Sequence, residues 1–567
     1  MIFPSETSEL LALQRLYTWE RDSPDRVTLH QPMGGGVIME FTWKDVADEV
    51  RRMAAHLKAQ GQERGWEPGA RIAILSKNCA WWLMSDLAIW MAGYVSVPIY
   101  PTLAPATIQQ ILKHSEAKLL FVGKLDAWDE MRPGVPIDLP CIGFPVSPAS
   151  VPDTCEHWDA ICASVVPLDG EPRRMAEDLA TIIYTSGTTG IPKGVMHSFG
   201  SFAWALGSAL QRIPIDANTR MLSYLPLAHV VERAFVEHGW LQSGMTVYFA
   251  ESLETFSADM KRARPTVFFS VPRLWTKFQQ GVHAKLPQRR LDLLLKLPII
   301  GKLARKKVLR ELGLDQCRFA AGGAAPMSMA LLHWYGALGL PIHEGYGMTE
   351  NCSVSHITVR AKDQLGTVGE VFEGVQARLD PDTSELQMKS PAVMLGYYKQ
   401  PQLTAQALTS DGWLRTGDKA EIHEEGELAG CTRITGRVKD LFKTSKGKYV
   451  SPAHIEDRLV ASPAIEACAV TGANLAQPIA IAMLSQEAAA RDRHELSGQL
   501  ATHLAEVNRQ LDPHEQLDCL VLTATPWDIA NGLITPTFKV RRDRIDEVYG
   551  PHLLSWIKQR RQIVWAD

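Results

Sequence analysis

At 567 residues, 46% of them hydrophobic, the chain carries apolar material for more than one core. A formal net charge of −4 excludes the basic excess by which nucleic-acid proteins are usually recognised. The nine cysteines (Cys79, Cys141, Cys155, Cys162, Cys317, Cys352, Cys431, Cys468 and Cys519) include no CxxC pair. That spacing indicates neither a zinc knuckle nor a disulfide framework, so the expectation is reduced thiols in a reducing compartment.

The N-terminal segment MIFPSETSELLALQRLY is acidic and amphipathic and lacks the basic start and apolar run of a secretory signal. A cytoplasmic location is therefore expected. Arg71 to Leu75 reads as a strand, Trp81 to Met91 as a helix and Val95 to Tyr100 as a second strand. Thr107 to His114 reads as a helix and Lys118 to Val122 as a third strand. The most hydrophobic stretch, Ala80 to Pro98, is interrupted by Asp86 and ends as a strand, which predicts a buried helix rather than a membrane span. The rhythm recurs at Met221 to Tyr224, Thr246 to Phe249 and Val267 to Val271. It predicts layered α/β architecture with largely parallel sheets.

After about Tyr346 the pattern changes. Gly366 to Ile434 is rich in Gly, Thr and short strand-like runs such as Gln376 to Leu379 and Glu385 to Lys389, which predicts a small β-rich subdomain. The polar segment Gly436-Arg-Val-Lys-Asp440 precedes a new pattern. Ile455 to Ala461 is helical, Ala467 to Thr471 a strand, Leu496 to Asn508 helical and Leu517 to Leu522 a strand. The expected division is a large N-terminal domain, 1–438, and a small α+β C-terminal domain, 439–567.

The strongest local signal is Tyr184-Thr-Ser-Gly-Thr-Thr-Gly-Ile-Pro-Lys-Gly194, which follows the apolar run Leu179 to Ile183. Gly187 and Gly190 let a loop close around an anion and expose backbone N–H groups to it. Thr185, Ser186, Thr188 and Thr189 add hydroxyl donors, and Lys193 adds a positive charge. The composition suits phosphate. It is not a Walker A loop, because Gly194 rather than Ser or Thr follows the lysine.

This segment resembles the signature loop of the adenylate-forming superfamily, which comprises acyl-CoA synthetases, luciferases and the adenylation domains of peptide synthetases. Gly345-Tyr-Gly-Met-Thr-Glu350 resembles the family's second signature, and Ala321-Gly-Gly-Ala-Ala-Pro326 its adenine-side loop. Gly412-Trp-Leu-Arg-Thr-Gly-Asp418 resembles the ribose-binding segment, and Gly436 to Asp440 the interdomain hinge. All five lie in the family's order. The resemblance implies an ATP/AMP site formed by the 185–193 loop with Gly323, Ala324, Gly345, Tyr346, Gly347, Asp418 and Arg437. Glu350, with Thr185, is expected to hold Mg²⁺, which binds through few carboxylates plus phosphate oxygens. Thr349 is expected to donate to the α-phosphate and Tyr346 to offer adenine a flat face. Asp418, acceptor-only when ionised, suits the ribose hydroxyls, and Arg437 can reach the same ribose.

Leu225-Pro-Leu-Ala-His-Val-Val-Glu-Arg233 resembles the form found in long-chain acyl-CoA synthetases. His229 is expected beside the reacting carboxylate, and Glu232 and Arg233 read as no more than a packed ion pair. Asn531-Gly-Leu-Ile-Thr-Pro-Thr-Phe-Lys539 resembles the catalytic-lysine motif in its long-chain form, with Arg541, Arg542 and Arg544 as competing cations. The family further implies that the C-terminal domain swings about Lys439. That motion would bring Lys443 and Gly447 to a CoA channel. The reading is therefore a fatty acid–CoA ligase using ATP, Mg²⁺ and CoA. The alternatives are an aryl or terpenoid acid–CoA ligase, a ligase loading a carrier protein, or a non-catalytic nucleotide-binding protein. Residues 285–310 mix basic and apolar side chains, which suggests peripheral membrane contact as well as a plain packed helix pair.

Overall fold

The computed structural model describes residues 10–152, 154–185, 192–523, 525–529, 531–535 and 539–566. An eight-stranded sheet forms its centre. In spatial order the strands are Gly396–Tyr397, Lys193–Ser198, Leu179–Thr185, Val95–Ile99, Arg71–Leu75, Leu119–Val122, Cys141–Gly143 and Glu156–His157. From Leu179–Thr185 outward to Glu156–His157 the neighbours run parallel. The two strands on the other side join antiparallel. Helix Ala80–Met91 is buried along its whole length, as its near-continuous apolar sequence demands.

Two mixed sheets flank this centre. One runs Arg220–Ser223, Thr246–Phe249, Val27–Pro32, Ile38–Thr42. The other runs Val267–Ser270, Phe319–Gly322, Ile342–Tyr346, His356–Ile357, Glu370–Val371. The glycine-rich region forms an all-antiparallel sheet of Gln376–Leu379, Glu385–Lys389, Leu414–Ile422 and Thr432–Arg437. Beyond it stand a hairpin, Phe442–Lys443 with Tyr449–Val450, and a last sheet of Ile465–Thr471, Ile479–Leu484, Leu520–Thr523 and Ile563–Trp565. Among the described residues, the apolar clusters draw either on residues up to Ile434 or on residues from Phe442 onward.

One sequence expectation fails here. Cys141 and Cys155 form a disulfide, with their Cα atoms 4.8 Å apart. The reason is topological: Cys141–Gly143 pairs in parallel with Glu156–His157, so the intervening loop returns Cys155 beside Cys141. A spacing of 14 residues carries no such signal in the sequence. The other seven cysteines are free.

Candidate active site

The site forms where strand ends from three sheets meet. Thr185 ends one strand of the central sheet and pairs with Lys193 of the neighbouring antiparallel strand. Ser186, Gly187, Thr188, Thr189 and Gly190 lie outside the described residues. The Lys193 ammonium stands 5.5 Å from the centroid of Tyr397, whose strand pairs with that of Lys193. The Tyr397 hydroxyl donates to Glu350 Oε1 at 2.7 Å. Lys193 and Glu350 are thus linked through one aromatic ring. Nothing in the sequence around Tyr397 singles it out, because its partners lie some two hundred and some fifty residues upstream.

Strand Ile342–Tyr346 delivers the second group. The Tyr346 hydroxyl donates to Asp418 Oδ2 at 2.6 Å, and Arg437 Nε lies 3.1 Å from Asp418 Oδ1. Asp418 and Arg437 are cross-strand partners, so carboxylate and guanidinium share one face. Two glycines have a steric reason here. A Cβ on Gly323 would come 2.9 Å from the Gly345 carbonyl oxygen, and one on Gly347 2.6 Å from Ser353 Cα. Ala324, next in the chain after Gly323, has a positive φ of 69° despite its side chain.

His229 caps the short turn Val230–Glu232, its Nδ1 accepting from the Val231 N–H at 3.2 Å. Burial and then the charge of Lys539 lower its pKa to about 4, so the ring is neutral at physiological pH. With Nδ1 accepting, Nε2 carries the proton. Asn78 anchors this loop, donating to the Leu225 carbonyl at 2.6 Å and accepting from the Leu227 N–H at 3.0 Å. Glu232 and Arg233 do not pair with each other, contrary to the sequence reading. Glu232 accepts from Ser223 Oγ at 2.7 Å, the Tyr224 N–H at 3.0 Å and Asn78 at 3.1 Å. Arg233 turns the other way, to Asp86, to Glu237 at 3.1 Å and to Thr181 Oγ1 at 2.9 Å. Successive residues of a helical turn point about 100° apart, so adjacent opposite charges rarely meet.

Lys539, from the far end of the chain, lies within electrostatic reach of this cluster. It keeps solvent exposure, yet the surrounding protein lowers its pKa. Asp418 and Glu350 oppose that shift, and Arg437 adds to it. The competing cations are engaged elsewhere: Arg541 with Asp543 at 2.9 Å, Arg542 with Asp440 at 2.8 Å, and Arg544 with Glu547. Pro536, Thr537 and Phe538 of the lysine motif lie outside the described residues. Lys443 and Gly447 are not brought to the cluster. Their hairpin is exposed and bonds back to its own side, through Asn474 N–H to Lys443 O at 3.0 Å and Ser445 N–H to Leu475 O at 2.8 Å.

The AMP-binding enzyme family matches residues 16–398, and the AMP-binding enzyme C-terminal domain matches residues 439–550. The chain belongs to the AMP-binding enzyme family. Among its relatives, the long-chain-fatty-acid–CoA ligase FadD15 of Mycobacterium bovis is 31% identical over 584 residues, covering 94% of this chain and 95% of its own. The long chain acyl-CoA synthetase 2 of Arabidopsis thaliana is 28% identical over 615 residues, covering 94% and 89%. The AMP-binding fold is shared with the A domain of carboxylic acid reductase from Segniliparus rugosus, solved with AMP and a co-purified carboxylic acid. The TM-score is 0.77 at 21% identity, over 97% of this chain and 94% of that one. The family resemblance and the α/β fold class read from the sequence both stand.

Proposed function

We propose that this AMP-binding enzyme is an AMP-forming long-chain fatty acid–CoA ligase. The observation that carries the reading is the joining of Tyr346 and Arg437 on Asp418 and of Tyr397 on Glu350, with Lys539 of the C-terminal part within electrostatic reach of both carboxylates. That arrangement suits adenylation. A fatty acid is already ionised at neutral pH and needs no base. Its carboxylate oxygen attacks the α-phosphorus of ATP. The bond from that phosphorus to the bridging oxygen breaks, and pyrophosphate leaves with the electron pair. Lys539, Lys193 and the Thr349 hydroxyl supply cations and donors to the phosphate oxygens, the term that dominates phosphoryl transfer. His229 Nε2–H can donate to the acid. In the second step the CoA sulfur attacks the acyl carbonyl carbon, the bond to the AMP oxygen breaks, and the thiol proton passes to solvent.

The Glu350 carboxylate with the Thr185 hydroxyl is the sparse oxygen set that Mg²⁺ uses beside phosphate oxygens, and the ion would supply positive charge there. Asp418 and Arg437 fit a ribose, and Tyr346 an adenine. The 225–233 segment and the long-chain-fatty-acid relatives support an aliphatic acid. Acid-dependent ATP–pyrophosphate exchange with a panel of acids tests this. Exchange with palmitate and little with acetate or benzoate is expected. Exchange with benzoate or acetate but not palmitate would overturn the chain-length assignment.

The same reading includes peripheral membrane contact. No helix among the described residues is long and apolar enough to cross a membrane. Helices Gln288–Lys296 and Pro298–Glu311 instead expose Leu293, Ile299 and Leu303 at 65%, 77% and 63%. Arg289, Lys296, Lys302 and Lys306 surround them, also exposed. Apolar side chains rimmed by cations suit an anionic lipid interface. Flotation with anionic liposomes should recover the protein, and Ile299→Asp with Leu303→Asp should abolish it. Equal recovery on neutral liposomes would count against this surface.

A further inference from the structure

His197 lies on strand Lys193–Ser198 and is fully buried. Its Nε2 is 2.7 Å from the Thr349 carbonyl oxygen. A carbonyl only accepts, so Nε2 carries the proton and Nδ1 must accept. Two atoms stand 3.4 Å from Nδ1, Cys352 Sγ and Ser201 Oγ. The Ser201 hydroxyl already donates to the Ser198 carbonyl at 2.8 Å, which leaves the Cys352 thiol as the donor to Nδ1. One imidazole therefore grips both ends of the turn that carries Thr349 and Glu350.

That turn needs holding. Cys352 and Ser353 have φ values of 53° and 57°, two consecutive non-glycine residues in the left-handed region. Such a conformation persists only where its surroundings enforce it. Besides His197, the turn is held by the Met394 N–H donating to the Glu350 carbonyl at 2.8 Å and by the Tyr397 hydroxyl on the Glu350 carboxylate. We propose that His197 is a positioning residue for adenylation, pinning the 349–353 turn so that Thr349 and Glu350 meet the nucleotide. The inference rests on the roles assigned to those two residues above.

The test compares His197→Gln, whose amide N–H can replace Nε2–H, with His197→Met, of similar volume and no donor. For His197→Met the exchange kcat should fall about tenfold or more, the effect of a turn held by one hydrogen bond fewer. The KM for palmitate should stay within about twofold, because the acid side is held separately by Asn78 and Glu232. Backbone hydrogen exchange over 346–353 should quicken in the same variant. His197→Gln should restore most of the rate and the protection. A Gln variant as slow as Met, or a slow Met variant with unchanged protection over 346–353, overturns the proposal. Should the Met variant fail to fold, His197→Asn replaces it. Its shorter amide falls short of Thr349, so an Asn variant as active as Gln is equally contrary. Glu350→Ala separates the two levels. Parent-level exchange in that variant refutes the site reading, whereas a loss there with none in His197→Met refutes only the role of His197.

Discussion

Glu232 shows how a single buried residue ties the 225–233 loop to pH. Burial raises its pKa to about 8, against the pull of its three hydrogen bonds. The folded chain therefore keeps a proton on Glu232 at pH values where the unfolded chain, with a pKa near 4.5, has lost it. Stability from this group is complete below pH 4.5 and declines as pH rises towards 8. Glu232→Gln can accept the same bonds and does not titrate. The stability of the Gln variant relative to the parent should therefore grow between pH 5 and pH 8, by up to a few kcal/mol, in denaturant titrations at the two pH values. A constant difference would contradict the assignment. At this scale the sequence was legible where a motif fixes both residue type and neighbours: Tyr346 and Arg437, singled out with Asp418, both bind its carboxylate. It was illegible where partners come from distant segments. Asn78, His197 and Tyr397 join the site only through the fold, and Glu232 and Arg233 look paired only on paper.

Among the elements, the hairpin from Phe442 to Val450 has the clearest untested consequence. Gly447 sits at φ 78°, exposed at its tip, where a side chain is strained whatever the space. If this tip approaches CoA in the second step, Gly447→Leu should leave ATP–pyrophosphate exchange near the parent level and slow thioester formation from supplied acyl-adenylate about tenfold or more. The strain itself should cost about 1–2 kcal/mol, too little to unfold most domains. Equal rates in both half-reactions would remove the hairpin from the CoA path. Most strands and helices were readable from periodicity, including the buried helix Ala80–Met91. The antiparallel return strand Lys193–Ser198 was not. Its first residues read as the end of a phosphate loop, and nothing local shows that it pairs on both edges. The Cys141–Cys155 pairing was missed for the same reason, since parallel register is set by neighbours far along the chain.

At the scale of the whole molecule, the proposed reaction needs one part of the chain to serve two steps in turn. In this structure Lys539 lies within electrostatic reach of Asp418 and Glu350, while the Lys443–Gly447 hairpin bonds back to its own side. Arg273 also reaches Glu466 across the two parts. Lys439 lies exposed in the turn between them, just past the Val438 N–H that donates to the Gly417 carbonyl at 2.9 Å. Rotation there would exchange lysine for hairpin at the site. The most direct measurement is Lys539→Ala assayed on each half-reaction separately. Removing a transition-state cation should cost about 3–4 kcal/mol, a hundredfold or more in acyl-adenylate formation. The same variant, given synthetic palmitoyl-adenylate and CoA, should form palmitoyl-CoA at close to the parent rate. Equal slowing of both half-reactions would contradict the alternation of the C-terminal part between the two steps.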